Sequence, residues 1–112
     1  MEMTRSYAAE AISRADVNHL PGSTLLEFGA PWCGHCQIAQ PMLAQVLDAM
    51  PPLRHLKIED GKGQPLGRSF GVRQWPTMIL LIDGVEIARL TRPGSVKVIA
   101  ELLAPLAVTE KR

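Results

Sequence analysis

At 112 residues the chain has the length of one domain, and a 46% hydrophobic composition supplies a modest core. Its 12 basic and 11 acidic residues leave a formal net charge of +1, spread without long runs, so no electrostatic footprint for nucleic acid or an anionic membrane appears. The longest uninterrupted apolar stretch, Met78 to Ile82, is too short to span a bilayer.

The opening Met1-Glu2-Met3-Thr4-Arg5 leads into polar and small residues and lacks the apolar core of a secretory signal. The expectation is a cytoplasmic monomer without nucleic-acid or membrane partners, residues 1–112 forming one domain with mobile tails at 1–6 and 106–112. Tyr7 to Asn18 is Ala-rich. Within it, Ser13-Arg14-Ala15-Asp16 reads as a capping box for a short helix, while the residues before Ser13 suit strand or helix. Pro21-Gly22 breaks the pattern. Ser23 to Gly29 reads as a buried strand around one acid, Glu27. A helix is predicted from about Cys33 to Met50, with Ile38, Met42, Leu43, Val46 and Leu47 at helical spacing, a kink at Pro41 and an end at Pro51-Pro52.

Leu53 to Glu59 alternates apolar and charged residues as a second strand. Gly61 to Gly63 is a turn, and Gln64 to Phe70 a short helix closed by Gly71. Thr77 to Ile82 and Val85 to Leu90 are strands joined by Asp83-Gly84, a strong hairpin signal. Ser95 caps a last helix through Val96, Val98, Ile99, Leu102 and Leu103, which Pro105 and a polar tail finish. This order predicts an α/β fold: a three-layer α/β/α sandwich around a mixed sheet, the first strands parallel and the last two antiparallel.

Two cysteines three positions apart enclose a tiny loop, so a disulfide between them adds little by constraining the unfolded chain. Zinc normally takes four ligands and one Cys-x-x-Cys supplies two; His19, His35 and His55 show no ligand-like pairing, so no metal site is expected. Gln37 stands where a c-type haem site needs histidine. What remains is thiol chemistry. Only a thiolate attacks a disulfide, and a free cysteine titrates near pH ~8.5. In Trp32-Cys33-Gly34-His35-Cys36, a strand hands over to a helix at Cys33, where unpaired backbone N–H groups and the positive end of the helix dipole favour the thiolate. Cys36, one turn further in, is placed to resolve a mixed disulfide on Cys33. Gly34 permits close approach, and His35 offers a second, partly protonated donor near the Cys33 sulfur.

The run Glu27-Phe28-Gly29-Ala30-Pro31-Trp32-Cys33-Gly34-His35-Cys36 resembles the active-site segment of protein disulfide isomerase domains, within the thioredoxin superfamily. Pro41, five residues after Cys36, is similarly placed to the proline of that superfamily's kinked active-site helix. Phe70-Gly71-Val72-Arg73 followed by Trp75-Pro76-Thr77 resembles the segment carrying its cis-proline, and Asp83-Gly84 its last hairpin turn. The likeness covers roughly residues 20 to 104. It implies a thioredoxin fold, with a cis Trp75–Pro76 bond facing Cys33, the backbone of Trp75 free to pair with an extended substrate, and Trp32 on the groove rim. It also implies that Glu27 is a buried proton acceptor behind Cys36; an unpaired acid in an apolar strand is otherwise costly.

Four departures stand out. Gly29 replaces an aromatic or tryptophan, which alters packing under the site. Trp75 is bulkier than the usual residue before the proline, and Arg92-Pro93-Gly94 replaces a glycine-containing loop flanking the groove. The one counterpart to the basic residue that thioredoxins carry near a buried acid is Lys57, for which a solvated strand lysine is the favoured reading. The expected activity is a thiol-disulfide oxidoreductase acting on protein disulfides, of the thioredoxin-like reductase kind. It needs no cofactor beyond a redox-active Cys33–Cys36 disulfide, and a thioredoxin reductase or another dithiol partner recycles it. If His35 tunes the pair, its potential lies above the roughly −270 mV of thioredoxin, towards the −180 mV of disulfide isomerase. The alternative is a client-binding module of the same fold with idle cysteines.

Overall fold

The computed structural model describes residues 3–9 and 11–110, with residues 107–110 described by backbone alone. Residues 1–2 and 111–112 of the expected tails lie outside the described residues. Helix α1 (Arg14–Asn18) starts where the sequence sets its cap: the Ser13 hydroxyl accepts from the Asp16 N–H at 3.0 Å. Strand β1 (Ser23–Gly29) leads into α2 (Gly34–Asp48), which runs through Pro41 and delivers the chain to β2 (Arg54–Glu59). Helix α3 (Pro65–Ser69) closes on Gly71 at φ +71°; the Val72 N–H reaches the Gly67 carbonyl at 2.9 Å and the Gly71 N–H that of Arg68 at 3.0 Å. Strands β3 (Thr77–Ile82) and β4 (Val85–Thr91) meet through Asp83 at φ 51° and Gly84 at φ 79°, the paired left-handed residues of a tight hairpin turn.

The sheet order is β2-β1-β3-β4, with β1 parallel to β2 and the other pairs antiparallel. The parallel pair needs a crossover, and α2 supplies it. Side-chain alternation then sends successive residues to two cores. Leu25, Met78 and Leu80 pack with Leu43, Leu47, Ile99 and Leu103 of α2 and α4 (Val96–Glu110), whereas Leu26, Phe28, Ile79 and Leu81 pack with Val17, Leu66 and Phe70 on the other face. This is the expected three-layer α/β/α arrangement. No helix among the described residues is long and apolar enough to cross a membrane.

The described residues of both expected tails are held against the fold. Met3 is buried in the core beneath α2 and α4. The Thr4 N–H donates to His55 Nδ1 at 3.1 Å, its hydroxyl donates to the His55 carbonyl at 2.6 Å, and the Ala8 N–H donates to the Lys57 carbonyl at 2.8 Å. The segment before α1 therefore runs alongside β2 instead of trailing as a tail. At the other end α4 continues past Pro105 to Glu110, because Leu106 prolongs the apolar stripe of Ile99, Leu102 and Leu103 into the core.

Candidate active site

Strand β1 ends beneath the site, and a turn closed by the Cys33 N–H on the Ala30 carbonyl (3.2 Å) places Cys33 as the extended N-cap of α2. Two donors converge on its sulfur: the Cys36 backbone N–H at 3.2 Å and the Cys36 thiol at 2.6 Å. Hydrogen bonds of this kind favour negative charge on the acceptor. Both cysteines are free and buried, Cys36 the more completely at 2% exposure against 7%. Burial, followed by the hydrogen bond to Cys33, pushes the Cys36 thiol up to about 12, with a backbone hydrogen bond from Ala30 acting in the opposite direction.

Gly29 lies directly under this pair. A Cβ there would fall 2.5 Å from the Cys36 sulfur and 3.1 Å from the Tyr7 hydroxyl, so the position is glycine because a sulfur and a phenol share the space a side chain would fill. The packing change expected from Gly29 is thus the admission of Tyr7 from the N-terminal segment. Its hydroxyl bonds Cys36 and is shifted strongly upward, first by burial and then by the charges of Cys36, Glu27 and Cys33, which fixes it as a neutral donor.

Behind the sulfurs stands a buried polar network that the sequence conceals. Glu27 is fully buried, but it is not the unpaired acid expected: Oε1 accepts from His55 Nε2 at 2.9 Å and Oε2 from Gln40 Nε2 at 2.6 Å. A backbone amide can only donate, so the Thr4 N–H makes His55 Nδ1 an acceptor and leaves the ring proton on Nε2, facing Glu27. Gln40 is oriented the same way, its Nε2 also reaching the Cys36 carbonyl at 3.2 Å and its Oε1 accepting from Lys57 Nζ at 3.1 Å. Lys57 departs from the favoured solvated reading and takes the other one, a basic residue beside the buried acid. At 6% exposure it is buried with its ammonium 4.6 Å from the centre of the Tyr7 ring, because the β1–β2 register pairs it with Glu27. Among the described residues no buried side-chain nitrogen or oxygen lacks a partner. Gln40 links Glu27 to the Cys36 main chain, and a cavity of about 440 Å³, lined by Arg5, Tyr7, Cys36, Gln37, Gln40 and Lys57 among others, is roomy enough for water beside the thiol.

The outer side is different. Trp32 is 74% exposed, in keeping with a place on a rim and not in the core, and meets Trp75 edge-on with ring centres 5.3 Å apart. Trp75 packs on the Ala30, Cys33 and Cys36 cluster and donates its indole N–H to Asp60 at 2.8 Å. The Trp75–Pro76 bond is cis. The Trp75 backbone, expected to be free, is partly engaged: its carbonyl accepts from Arg92 Nε at 3.0 Å. His35 is exposed and donates to neither sulfur, and a side chain at Gly34 would meet nothing within 4 Å. Tyr7, Gln40 and His55 are the site residues that sequence reasoning missed, and of these only Tyr7 left a signal, the anomalous Gly29; Arg92 lies in the loop already singled out beside the groove, with no role assigned to it there. Among the described residues no group of three or more His, Cys, Asp or Glu side chains is gathered to hold a metal ion.

Comparison with known proteins places these features in context. The family model described as Thioredoxin matches residues 7–104. The solved structure of thioredoxin 2 from Pseudomonas aeruginosa PAO1 in its reduced form is 51% identical, with a TM-score of 0.85 over 96% of this chain and 99% of that one. Protein disulfide-isomerase A2 of Pongo abelii is 41% identical over 85 residues, covering 70% of this chain but only 16% of that protein. Thioredoxin of Chlamydia muridarum is 35% identical over 68 residues, covering 61% of this chain and 67% of that protein.

Proposed function

The chain belongs to the thioredoxin family, and from that membership we propose that it is a thiol-disulfide oxidoreductase that reduces protein disulfides. The observation that carries this reading is the asymmetry of the two thiols: Cys33 receives two hydrogen bonds on its sulfur, while Cys36 is buried and held protonated. In the proposed reaction the Cys33 thiolate attacks one sulfur of a substrate disulfide. A Cys33–substrate disulfide forms and the other substrate sulfur leaves as a thiolate. Cys36 then gives up its proton and attacks the Cys33 sulfur, forming the Cys33–Cys36 disulfide and expelling the second substrate thiolate. Two electrons pass from the Cys33–Cys36 pair to the substrate, and the proton given up by Cys36 together with one taken from solvent leaves both substrate sulfurs as thiols.

Cys36 needs help to lose its proton at neutral pH, since its thiol is held far above neutrality. We assign that help to Glu27 as the buried proton acceptor behind Cys36, with Gln40 holding its carboxylate in place and the Tyr7 hydroxyl steadying the sulfur as charge develops. Trp32, Trp75 and Pro76 form the substrate rim, and Gly34 leaves room for an approaching chain. His35, exposed beside the pair and bonded to neither sulfur, keeps only an indirect tuning role. The chain acts as one domain and a monomer, without a cofactor, in a reducing cytoplasmic setting. A thioredoxin reductase or equivalent dithiol donor restores it.

Insulin reduction tests the proposal. The wild-type chain with a dithiol donor precipitates insulin, Cys33→Ser does not, and Cys36→Ser accumulates a mixed disulfide on Cys33. A folded wild-type chain that reduces nothing favours the client-binding reading instead.

A further inference from the structure

We propose that Arg92 selects substrates, recognising a carboxylate side chain close to the disulfide of an extended protein segment docked beside Pro76. The inference rests on the reductase reading above and names a substrate preference for the same site. It starts from a residue held at both ends. The Arg92 backbone N–H donates to the Pro76 carbonyl at 2.9 Å, and its Nε donates to the Trp75 carbonyl at 3.0 Å. The backbone stands at φ 50°, a left-handed conformation that costs any residue but glycine and that arginine has no intrinsic reason to adopt. A surface arginine usually wanders; this one is pinned across the Trp75–Pro76 dipeptide.

Pinning through Nε leaves the outer edge of the guanidinium unused. Among the described residues Nη1 and Nη2 make no hydrogen bond, and the side chain is exposed. The planar fork therefore points a fixed set of N–H donors at whatever pairs with the 75–76 backbone, and such a fork matches a carboxylate. Arg73, two residues before Trp75, is exposed as well and adds charge of the same sign. An incoming strand uses the remaining lone pair of the Trp75 carbonyl or displaces Nε from it. In either case the guanidinium lies alongside the bound segment, where an acidic side chain gains a partner and a basic one meets repulsion.

The test compares kcat/KM for two cystine peptides that differ only in Glu or Gln next to the disulfide, with a small neutral disulfide as control. Wild type is expected to favour the Glu peptide about fivefold, an advantage that shrinks as salt rises from about 0.02 M to about 0.5 M. In Arg92→Ala the ratio falls to one, and Arg92→Lys, with charge but no fork, retains part of it. The proposal is overturned by a wild-type ratio of one, by a ratio that survives Arg92→Ala, or by equal slowing of both peptides, which marks Arg92 as a structural clamp only. If wild type fails to reduce the small control disulfide as well, the reductase reading itself has failed, and that outcome is distinct from lost selectivity.

Discussion

The sulfurs of Cys33 and Cys36 lie 2.6 Å apart, yet the surroundings on their two sides differ in kind. Outward are an exposed indole, a second indole packed against it and an arginine with a free edge. Inward are Tyr7, Gln40, Glu27, His55 and Lys57, joined into a network whose buried polar atoms are all satisfied. Contacts on the outer side are wet and individually small. On the inner side every group depends on its neighbours, because a donor or acceptor left without a partner there bears its full desolvation cost. The comparison teaches a division of labour. Changes outside should alter which disulfides are accepted, and changes inside should alter how fast the mixed disulfide is resolved and how stable the reduced fold is.

Gly29→Ala puts the greatest strain on this division. Its methyl would collide with the Cys36 sulfur, and in a packed site the cost is about 1–3 kcal/mol, to be read from denaturant unfolding of the reduced protein. A stability equal to wild type would show that Tyr7 and Cys36 do not share that space. Next in size is Glu27→Gln, which replaces one of two acceptor oxygens with an amide NH2 donor and removes the base. Resolution of a trapped mixed disulfide should slow about tenfold at neutral pH, equivalent to ~1.4 kcal/mol in the barrier. An unchanged resolution rate would detach the network from the chemistry. Smallest is Trp75→Phe, which keeps a ring on the rim but loses the bond to Asp60. It should lower stability by about 1 kcal/mol and leave the resolution rate at its wild-type value. A slowed resolution step in that variant would blur the boundary between the two sides.

The outer side and the pair of sulfurs were legible in the sequence, and the inner network was not. Cys33, Cys36 and Trp32 sit in one contiguous motif at a strand-to-helix junction, and the Asp83-Gly84 turn fixes the hairpin by local backbone preference alone. Such signals need no knowledge of the tertiary fold. The network draws on four separate segments: Thr4 and Tyr7 before the first helix, Glu27 on β1, Gln40 on α2, and His55 and Lys57 on β2. Only the β1–β2 register and the path of the N-terminal segment bring them together. Lys57 shows why local reading fails. A lysine in an alternating strand usually lies in water, and only its pairing opposite a buried acid, with Gln40 as intermediary, reverses that. Pro105 misleads for a related reason: a proline normally stops a helix, but here the stripe continued by Leu106 outweighs the missing N–H.

The unequal thiols also carry a pH signature. Folding lifts Cys36 from the ordinary cysteine range to about 12, so its contribution to the stability of the reduced protein is complete below the value of a free cysteine and is lost as pH climbs towards 12. Timed alkylation of the reduced chain with peptide mapping, from about pH 6 to about pH 9, tests the asymmetry most directly. The expected result is faster labelling of Cys33 than of Cys36 at every pH, with Cys36 protected until the solution becomes far more alkaline. Equal labelling of both positions, following the profile of an unstructured cysteine peptide, would contradict the account.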